Sequence, residues 1–357
     1  MGPASRAWRA LAQVVNHATP GLDLDPVLAE RIAAGDTPDL YEQSSWSVPS
    51  FIEKNGADSL YPLNDFLASR PNATSNLNPE LLAELTIDGK IYGVPAGFVA
   101  RVNALYYNKH IFKAHQLNPP TTLDEFRTVC QKPKAAGVSP LPGGHAGSLL
   151  EAVLPPAMGH DAYYNFRANR VPDEEGLRKG IDLFLEMVDD YLGPRLQETA
   201  FEPHEMDAFM DGRTGMFLSG EWTKPMLQQL GWTPGVDFGV IPAPGNAGLF
   251  TYNADVFTVP AGAPHLEAAL DFLDTVVSLD GQRAFAEGDV TPVRSDVLLG
   301  EPDPVRQSLI EDWRNAEYRL TAGATVYTGV PMEAIDAFIQ STPRDKEAFL
   351  QLMLVEY

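Results

Sequence analysis

Apolar residues recur along the chain at helical spacing in some stretches and at strand-like alternation in others. The helical spacing predicts a helix after Thr122, a helical tail over 303–357, and further helices at 4–18, 26–34, 47–55, 62–69, 79–86, 110–115, 146–157, 175–192, 203–209, 265–279 and 280–287. Strand patterns fall mainly at 101–108, 138–141, 214–218 and 237–241. Because helices and strands alternate almost throughout, the sequence predicts an α/β protein.

Two local signatures refine these boundaries. Asp88-Gly89 is the dipeptide of a tight hairpin turn and predicts a two-stranded hairpin within 87–95. Thr122 is followed three residues later by Glu125, which predicts a capping box at the start of a helix.

The stretch 248–263 combines strand-forming residues with polar ones. Phe250 and Tyr252 have high strand propensity, yet Asn253 and Asp255 follow directly. One interpretation is a strand whose polar groups turn into a cavity and bind a ligand hydroxyl. The other is an ordinary turn at Asn253-Ala254-Asp255, since both residue types favour turns.

Length and charge bound the class of protein. A chain of 357 residues predicts two domains, and 44% hydrophobic with 21% charged residues is typical of a globular protein. The 26 basic and 48 acidic residues give a net charge of −22, which argues against nucleic acid and against anionic membrane surfaces as partners. No window of 18 apolar residues predicts a transmembrane helix.

The N-terminus lacks a basic start followed by an apolar core, so the sequence begins without a recognisable signal peptide. Either the protein is cytosolic or its export signal lies outside this sequence. The single cysteine, Cys130, excludes an internal disulfide and a thiolate metal cluster. Its place in a helical pattern predicts a packing role.

Sequence motifs of metal and nucleotide chemistry are missing. The seven histidines form neither an i,i+4 pair nor an HExxH motif, and there is no P-loop, no GxGxxG after a strand and no GxSxG. We therefore expect no metal and no cofactor. Glu221 and Asp255 form a conceivable glycosidase pair, so a carbohydrate-active hydrolase stays open as the alternative function.

Aromatic residues stand next to amides, carboxylates and an arginine, mostly at the ends of predicted elements. Aromatic rings cover the C–H faces of sugars, and planar polar groups bind sugar hydroxyls in pairs of hydrogen bonds. The candidate ligand-binding residues are Glu42, Trp46, Arg101, Asn103, His145, Glu221, Trp222, Asn253 and Asp255.

These candidates also have structural interpretations. Trp46 and Trp222 are of a type more often used for packing. Arg101 could form an interdomain salt bridge, and His145 could be a loop or capping residue.

Seven stretches, in order along the chain, resemble one family. They are Ala34–Tyr41, Asp88–Pro95, Val102–Lys109, Asn118–Phe126, Ala135–Pro140, Met210–Trp222 and Phe285–Arg294. Together they resemble the extracellular solute-binding proteins of carbohydrate ABC importers, in the maltose-binding superfamily. The similarity is greatest to the branch that binds glucose and related sugars.

The resemblance implies a two-lobed periplasmic-binding-protein fold whose α/β lobes close on a sugar around hinge strands. The implied lobes are 1–100 plus 254–292 and 101–253 plus 293–357. The family's ligand-contact motifs match Arg101-Val102-Asn103, Gly220-Glu221-Trp222 and Tyr252-Asn253-x-Asp255.

The implied function is binding rather than catalysis, because closure is a population shift that the ligand stabilises. The expected partners are a sugar and the permease subunits of an ABC importer. Delivery to a sensing receptor is an alternative. The protein is expected to be a monomer and to be periplasmic or extracellular, with or without a lipid anchor.

The sequence departs from the family pattern at four places, one of which is a shorter segment between Gly21 and Pro26. It starts in the first helix rather than in the strand that usually precedes it, and the run 288–294 lacks the family's lysine. A histidine expected in a later loop corresponds to a position near Ala322. The ligand is therefore expected to be a glucose-like sugar or, alternatively, a larger, differently held or more weakly bound ligand.

Overall fold

The computed structural model describes residues 25–99, 101–102, 104–143, 146–193, 202–287, 291–297, 300–321, 330 and 332–355. The helices of this part are α1 (Asp25–Ala33), α2 (Ser47–Asn55), α3 (Asn64–Ala68), α4 (Pro71–Asn76), α5 (Pro79–Glu84), α6 (Lys109–His115), α7 (Leu123–Ala135), α8 (Ala146–Met158), α9 (His160–Asn169), α10 (Glu174–Tyr191), α11 (Glu202–Met210), α12 (Thr223–Gln229), α13 (Leu266–Val277), α14 (Leu279–Glu287), α15 (Pro304–Asn315), α16 (Met332–Gln340) and α17 (Lys346–Val355). The strands are β1 (Tyr41–Ser44), β2 (Thr86–Ile87), β3 (Lys90–Ile91), β4 (Val94–Val99), β5 (Ala104–Asn108), β6 (Met216–Ser219), β7 (Phe238–Pro242), β8 (Leu249–Thr258) and β9 (Tyr318–Thr321). The predicted α/β class is confirmed.

The chain divides into two compact units, each built from two segments. In the first unit the described residues lie between Asp25 and Val99 and between Asn253 and Gly300. In the second unit they lie between Arg101 and Tyr252 and after Glu301.

The sheet of the first unit has the C-terminal part of β8 at its centre. β1 and β4 pair with it antiparallel, one on each side. One face of this sheet, which includes Val256, packs on a core formed with α1 and α2. On the other face Phe257 contacts Phe272 of α13, with ring centroids 5.1 Å apart. Helix α13 therefore covers the part of this second face around Phe257.

The second unit contains the antiparallel sheet β6-β5-β7. Successive β5 residues point to opposite faces, so Leu105 joins the larger core beneath α8 and α10. Ala104 and Tyr106 join a smaller core with Phe209 and Phe238. The N-terminal part of β8 also belongs to this unit and pairs parallel with β9.

Local sequence signals predicted several features correctly. The hairpin turn is present, with Asp88 at φ 50° and Gly89 at φ 76°. The capping box of α7 is present, because the Thr122 side chain accepts from the Glu125 N–H and Glu125 accepts in return. Cys130 is buried in the larger core, and burial raises the pKa of its thiol well above the usual range.

Several predictions of strands were wrong in position. The predicted strand 101–108 begins only at Ala104. The predicted strand 138–141 is reduced to isolated bridges at Ser139 and Leu141. The sequence did not predict β4, in which Pro95 and Gly97 introduce a register shift. A proline and glycines lower strand propensity, and only pairing with β8 overrides that local preference.

Two further corrections concern the tail and the stretch 248–263. The tail predicted as helical contains β9, which forms because β8 supplies a partner. The alternative of a turn at Asn253-Ala254-Asp255 is wrong, since these residues lie inside the continuous strand β8. Helices α4 and α9 were not predicted, and the predicted helix 4–18 lies outside the described residues.

Candidate functional site

The first unit places four polar side chains on one face of its sheet. Ser44 of β1 lies opposite Asp255 of β8, and Glu42 lies opposite Phe257. Because side chains alternate along a strand, Asn253 shares this face with Asp255. Burial along β8 follows the same alternation: Asn253 and Asp255 are part-exposed, whereas Ala254 between them is buried.

Asn253 is held in a defined orientation. Its Nδ2 donates a hydrogen bond of 3.2 Å to the Ser44 hydroxyl. Its Oδ1 is buried and accepts no hydrogen bond from the part of the chain that the structure describes. A buried carbonyl without a donor is costly, so this oxygen is suited to a donor group supplied from outside.

Asp255 and Glu42 form a carboxylate pair at diagonal positions of adjacent strands, within reach of each other across the sheet. Burial raises the pKa of Asp255 to about 7, and the charge of Glu42 adds to the effect. Burial also raises the pKa of Glu42, although part of its side chain stays in solvent. On the other side of Asp255, Gly97 of β4 contributes no side chain.

Trp46 follows β1 and stands at the start of α2. It occupies the N-cap position with helical dihedrals, φ −67° and ψ −24°, and makes no side-chain cap. Its side chain is half-buried. The first unit thus supplies an amide and a carboxyl from β8, a second carboxyl from β1 and an indole from the start of α2.

The second unit places its candidates on a tight turn after β6. Glu221 is 8% exposed, and the adjacent Trp222 is half-buried at the N-cap of α12. A hydrogen bond of 2.7 Å joins the hydroxyls of Ser219 and Thr223 across the base of the turn. Trp222 folds back over Gly220, where an added Cβ would lie 2.0 Å from the indole ring.

Arg101 is only 3% exposed and is bonded within the second unit. Its guanidinium donates to the Leu249 carbonyl and to Asp312, each at 3.3 Å, and stacks 4.4 Å from the centre of the Phe250 ring. The predicted salt bridge is therefore present, but its partner Asp312 belongs to the same unit.

The sequence did not identify every polar or aromatic residue around these candidates. Ser44, Asp312 and Trp313 were not predicted, because no local pattern marks them. Trp313 packs edge-on against both Phe250 and Tyr252, with centroids 5.2 and 5.3 Å apart. Asn103 and His145 lie outside the described residues.

Other kinds of site find little support in the described ranges. Within them, no group of three His, Cys, Asp or Glu residues could hold a metal ion. Nor does any described helix have the length and apolar character needed to cross a membrane. The second unit has a cavity of about 570 Å³, and none of the candidate residues that the structure describes lines it. Its described lining residues are Gly143, Val188, Leu192, Gly193, Asp336, Ile339 and Gln340.

Comparison with known proteins identifies similar chains. The family described as bacterial extracellular solute-binding protein matches residues 18–310. An uncharacterized ABC transporter extracellular-binding protein of Pyrococcus horikoshii is 28% identical over 324 residues, which cover 87% of this chain and 70% of that protein. A probable sugar-binding periplasmic protein of Brucella melitensis is 24% identical over 84% of this chain and 72% of its own length.

Among solved structures, a chitin oligosaccharide binding protein has the same fold. It superposes with a TM-score of 0.75 at 21% identity, over 99% of this chain and 94% of its own.

Proposed function

This chain belongs to the bacterial extracellular solute-binding proteins, and on that premise we propose that it binds a sugar and delivers it to an ABC importer. The names of its relatives support both parts: one is an ABC transporter extracellular-binding protein, and another is a probable sugar-binding periplasmic protein. We further propose that the two compact units are the two lobes, that the protein acts as a monomer, and that it is periplasmic or extracellular.

The observation that carries the proposal is the polar face of the first unit. Asn253 Oδ1 has no hydrogen-bond donor among the described residues, and the carboxyls of Asp255 and Glu42 lie on the same face of the sheet. Sugar hydroxyls both donate and accept hydrogen bonds, so a neutral polyol suits a face that carries a carbonyl beside carboxyls. Trp46 adds an aromatic surface from the same unit.

The second unit supplies Glu221 and Trp222 in this proposal. The indole provides a flat apolar face for the C–H groups of a sugar ring, and Glu221 accepts from hydroxyls. Asn103 and His145 stay predicted contacts. A glucose-like sugar is the proposed ligand, with a small oligosaccharide equally compatible with these groups.

The test is a thermal-shift and calorimetric screen of monosaccharides and short oligosaccharides. A sugar at 100 times its dissociation constant should stabilise the protein by about 2.7 kcal/mol. Asp255→Asn and Trp222→Ala should each weaken binding, whereas the control Asp58→Asn, on an exposed part of the first unit, should not. If no sugar stabilises the folded protein, the proposal fails.

The same preparation tests the hydrolase alternative. Glu221 and Asp255 belong to different units, and a binding protein should release nothing from aryl glycosides. Turnover that Asp255→Asn abolishes would identify a hydrolase instead.

A further inference from the structure

We propose that Arg101 is a positioning residue: it fixes the turn that carries Glu221 and Trp222 and does not itself touch the ligand. The inference rests on the proposed function, since Glu221 and Trp222 are the ligand groups that the second unit supplies there. It departs from the family resemblance, which gives Arg101 the role of a sugar contact.

Both terminal nitrogens of the Arg101 guanidinium are bonded inside the second unit, while Nε is buried and has no hydrogen-bond partner among the described residues. Its Nη1 donates to the Leu249 carbonyl of β8, and its Nη2 donates to Asp312 of α15. The guanidinium lies against the ring of Phe250, which is fully buried. With 3% of its surface exposed, Arg101 has almost no area left for a ligand.

The backbone of the same residue holds the turn. The Arg101 carbonyl accepts a hydrogen bond of 3.2 Å from the N–H of Glu221. The N–H of Val102 donates to the Thr251 carbonyl of β8 at 2.9 Å. If the Arg101 side chain shifts, we expect its backbone carbonyl, which binds the Glu221 N–H, to shift with it. The adjacent Trp222 should then move as well.

The electrostatics of the ion pair favour a geometric role over a stabilising one. Burial lowers the pKa of Arg101 to about 10 despite the nearby charges of Asp312 and Glu221. Burial likewise raises the pKa of Asp312 despite Arg101. For both partners burial opposes the charged form, which fits a buried pair that specifies one arrangement of its neighbours.

The test measures the environment of Trp222 in the sugar-free protein. Acrylamide quenching of Trp222 fluorescence is obtained as the difference between each variant and the same variant carrying Trp222→Phe. Arg101→Lys cannot keep the two hydrogen bonds and the ring stacking together. We expect it to change the quenching of Trp222 without sugar and to weaken sugar affinity by about tenfold, the factor of one hydrogen bond.

The matched control is Arg167→Lys. Arg167 is another buried arginine of the second unit, bonded to the buried Glu151 at 2.9 Å. Its replacement should lower the melting temperature but leave the quenching of Trp222 unchanged. If the control changes Trp222 as much as Arg101→Lys does, a general loosening explains both and the proposal is wrong.

A second variant guards against poor folding of Arg101→Lys. Asp312→Asn removes the charge that Arg101 faces, and we expect it to change Trp222 quenching in the same direction. Unchanged quenching in both variants, with affinity lost only in Arg101→Lys, would show that Arg101 contacts the sugar. If the wild-type protein binds no sugar, the proposed function fails, but quenching still tests the positioning role.

Discussion

Asp255 is an ionisable residue in a largely buried position beside a second carboxyl. It lies inside β8 between two buried residues, Ala254 and Val256, and the charge of the Glu42 carboxyl acts on it. Either a proton or a ligand donor relieves the cost of holding this charge away from water. We therefore expect burial beside Glu42 to favour the protonated form of Asp255 in the sugar-free protein, because it raises the pKa of this carboxyl.

This protonation predicts how stability depends on pH. The pKa of Asp255 rises from its ordinary 3.8 to about 7 in the folded protein, so the folded state binds the proton more tightly than the unfolded state. Its contribution is greatest below pH 4 and is lost as pH rises through 7. Asp255→Asn should make the melting temperature of the sugar-free protein less dependent on pH between 5 and 8, measured by calorimetry.

Asp58→Asn is the control for this measurement. Asp58 is exposed on the same unit, so its replacement should leave the slope of melting temperature against pH unchanged. If Asp255→Asn and Asp58→Asn have the same slope, the carboxyl pair does not hold a proton.

Gly220 is a position where any side chain would collide with the indole of Trp222. A Cβ there would lie 2.0 to 2.3 Å from three ring atoms of Trp222. Gly220→Ala should therefore displace the indole and weaken sugar binding, measured by calorimetry. Gly215→Ala is a matched control at the other end of β6, because among the described residues its Cβ would meet only Ile111, at 3.8 Å. Equal affinity in both variants would contradict the packing role of Gly220.

At the scale of elements, β8 organises both units because its two parts serve different sheets. Its N-terminal part pairs with β9, and its C-terminal part pairs with β1 and β4. Only the C-terminal part alternates between buried and part-exposed side chains. Asn253 and Asp255 fall on part-exposed positions of that part, which is why we expect a ligand to reach them.

The side chain of Gln282 ties α14 to the elements around it. Its Nε2 donates to the carbonyls of Ala96 and Val276, and its Oε1 accepts from the N–H of Val293, each at 2.9 Å. Gln282→Met keeps the volume but leaves these buried groups without a partner. We expect a loss of about 3 kcal/mol in the free energy of unfolding, measured with urea.

Gln307→Met is the comparison variant. Gln307 is on α15, and its exposed side chain donates a hydrogen bond to Glu311. Its replacement should change the free energy of unfolding by less than about 0.5 kcal/mol. A loss of similar size in both variants would mean that the buried bonds of Gln282 contribute nothing.

At the scale of the whole molecule, the net charge of −22 affects stability. Repulsion among like charges destabilises a compact state, and salt screens it, since the Debye length falls from about 30 Å at 0.01 M to about 8 Å at 0.15 M. The melting temperature should rise over this range of sodium chloride. Potassium chloride should give the same rise, and a flat or falling curve would contradict the role of repulsion.

The sequence by itself determined the features that depend on neighbours a few positions apart. Helical spacing gave the correct helices α2 and α8, and the residue types at Asp88-Gly89 and Thr122 specified a turn and a cap. These signals suffice because turn and capping chemistry involves two to four consecutive residues. The family, too, follows from short motifs in order along the chain.

Only the tertiary structure decided which groups meet. Ser44 orients Asn253 across 209 positions of the chain, and Asp312 reaches Arg101 across 211. The pairing of β8 likewise imposed strand structure on β4 and β9, whose own sequences did not predict it. Such contacts form because strand register and burial favour them over local preference, and no pattern within a short window of sequence encodes a partner so far away.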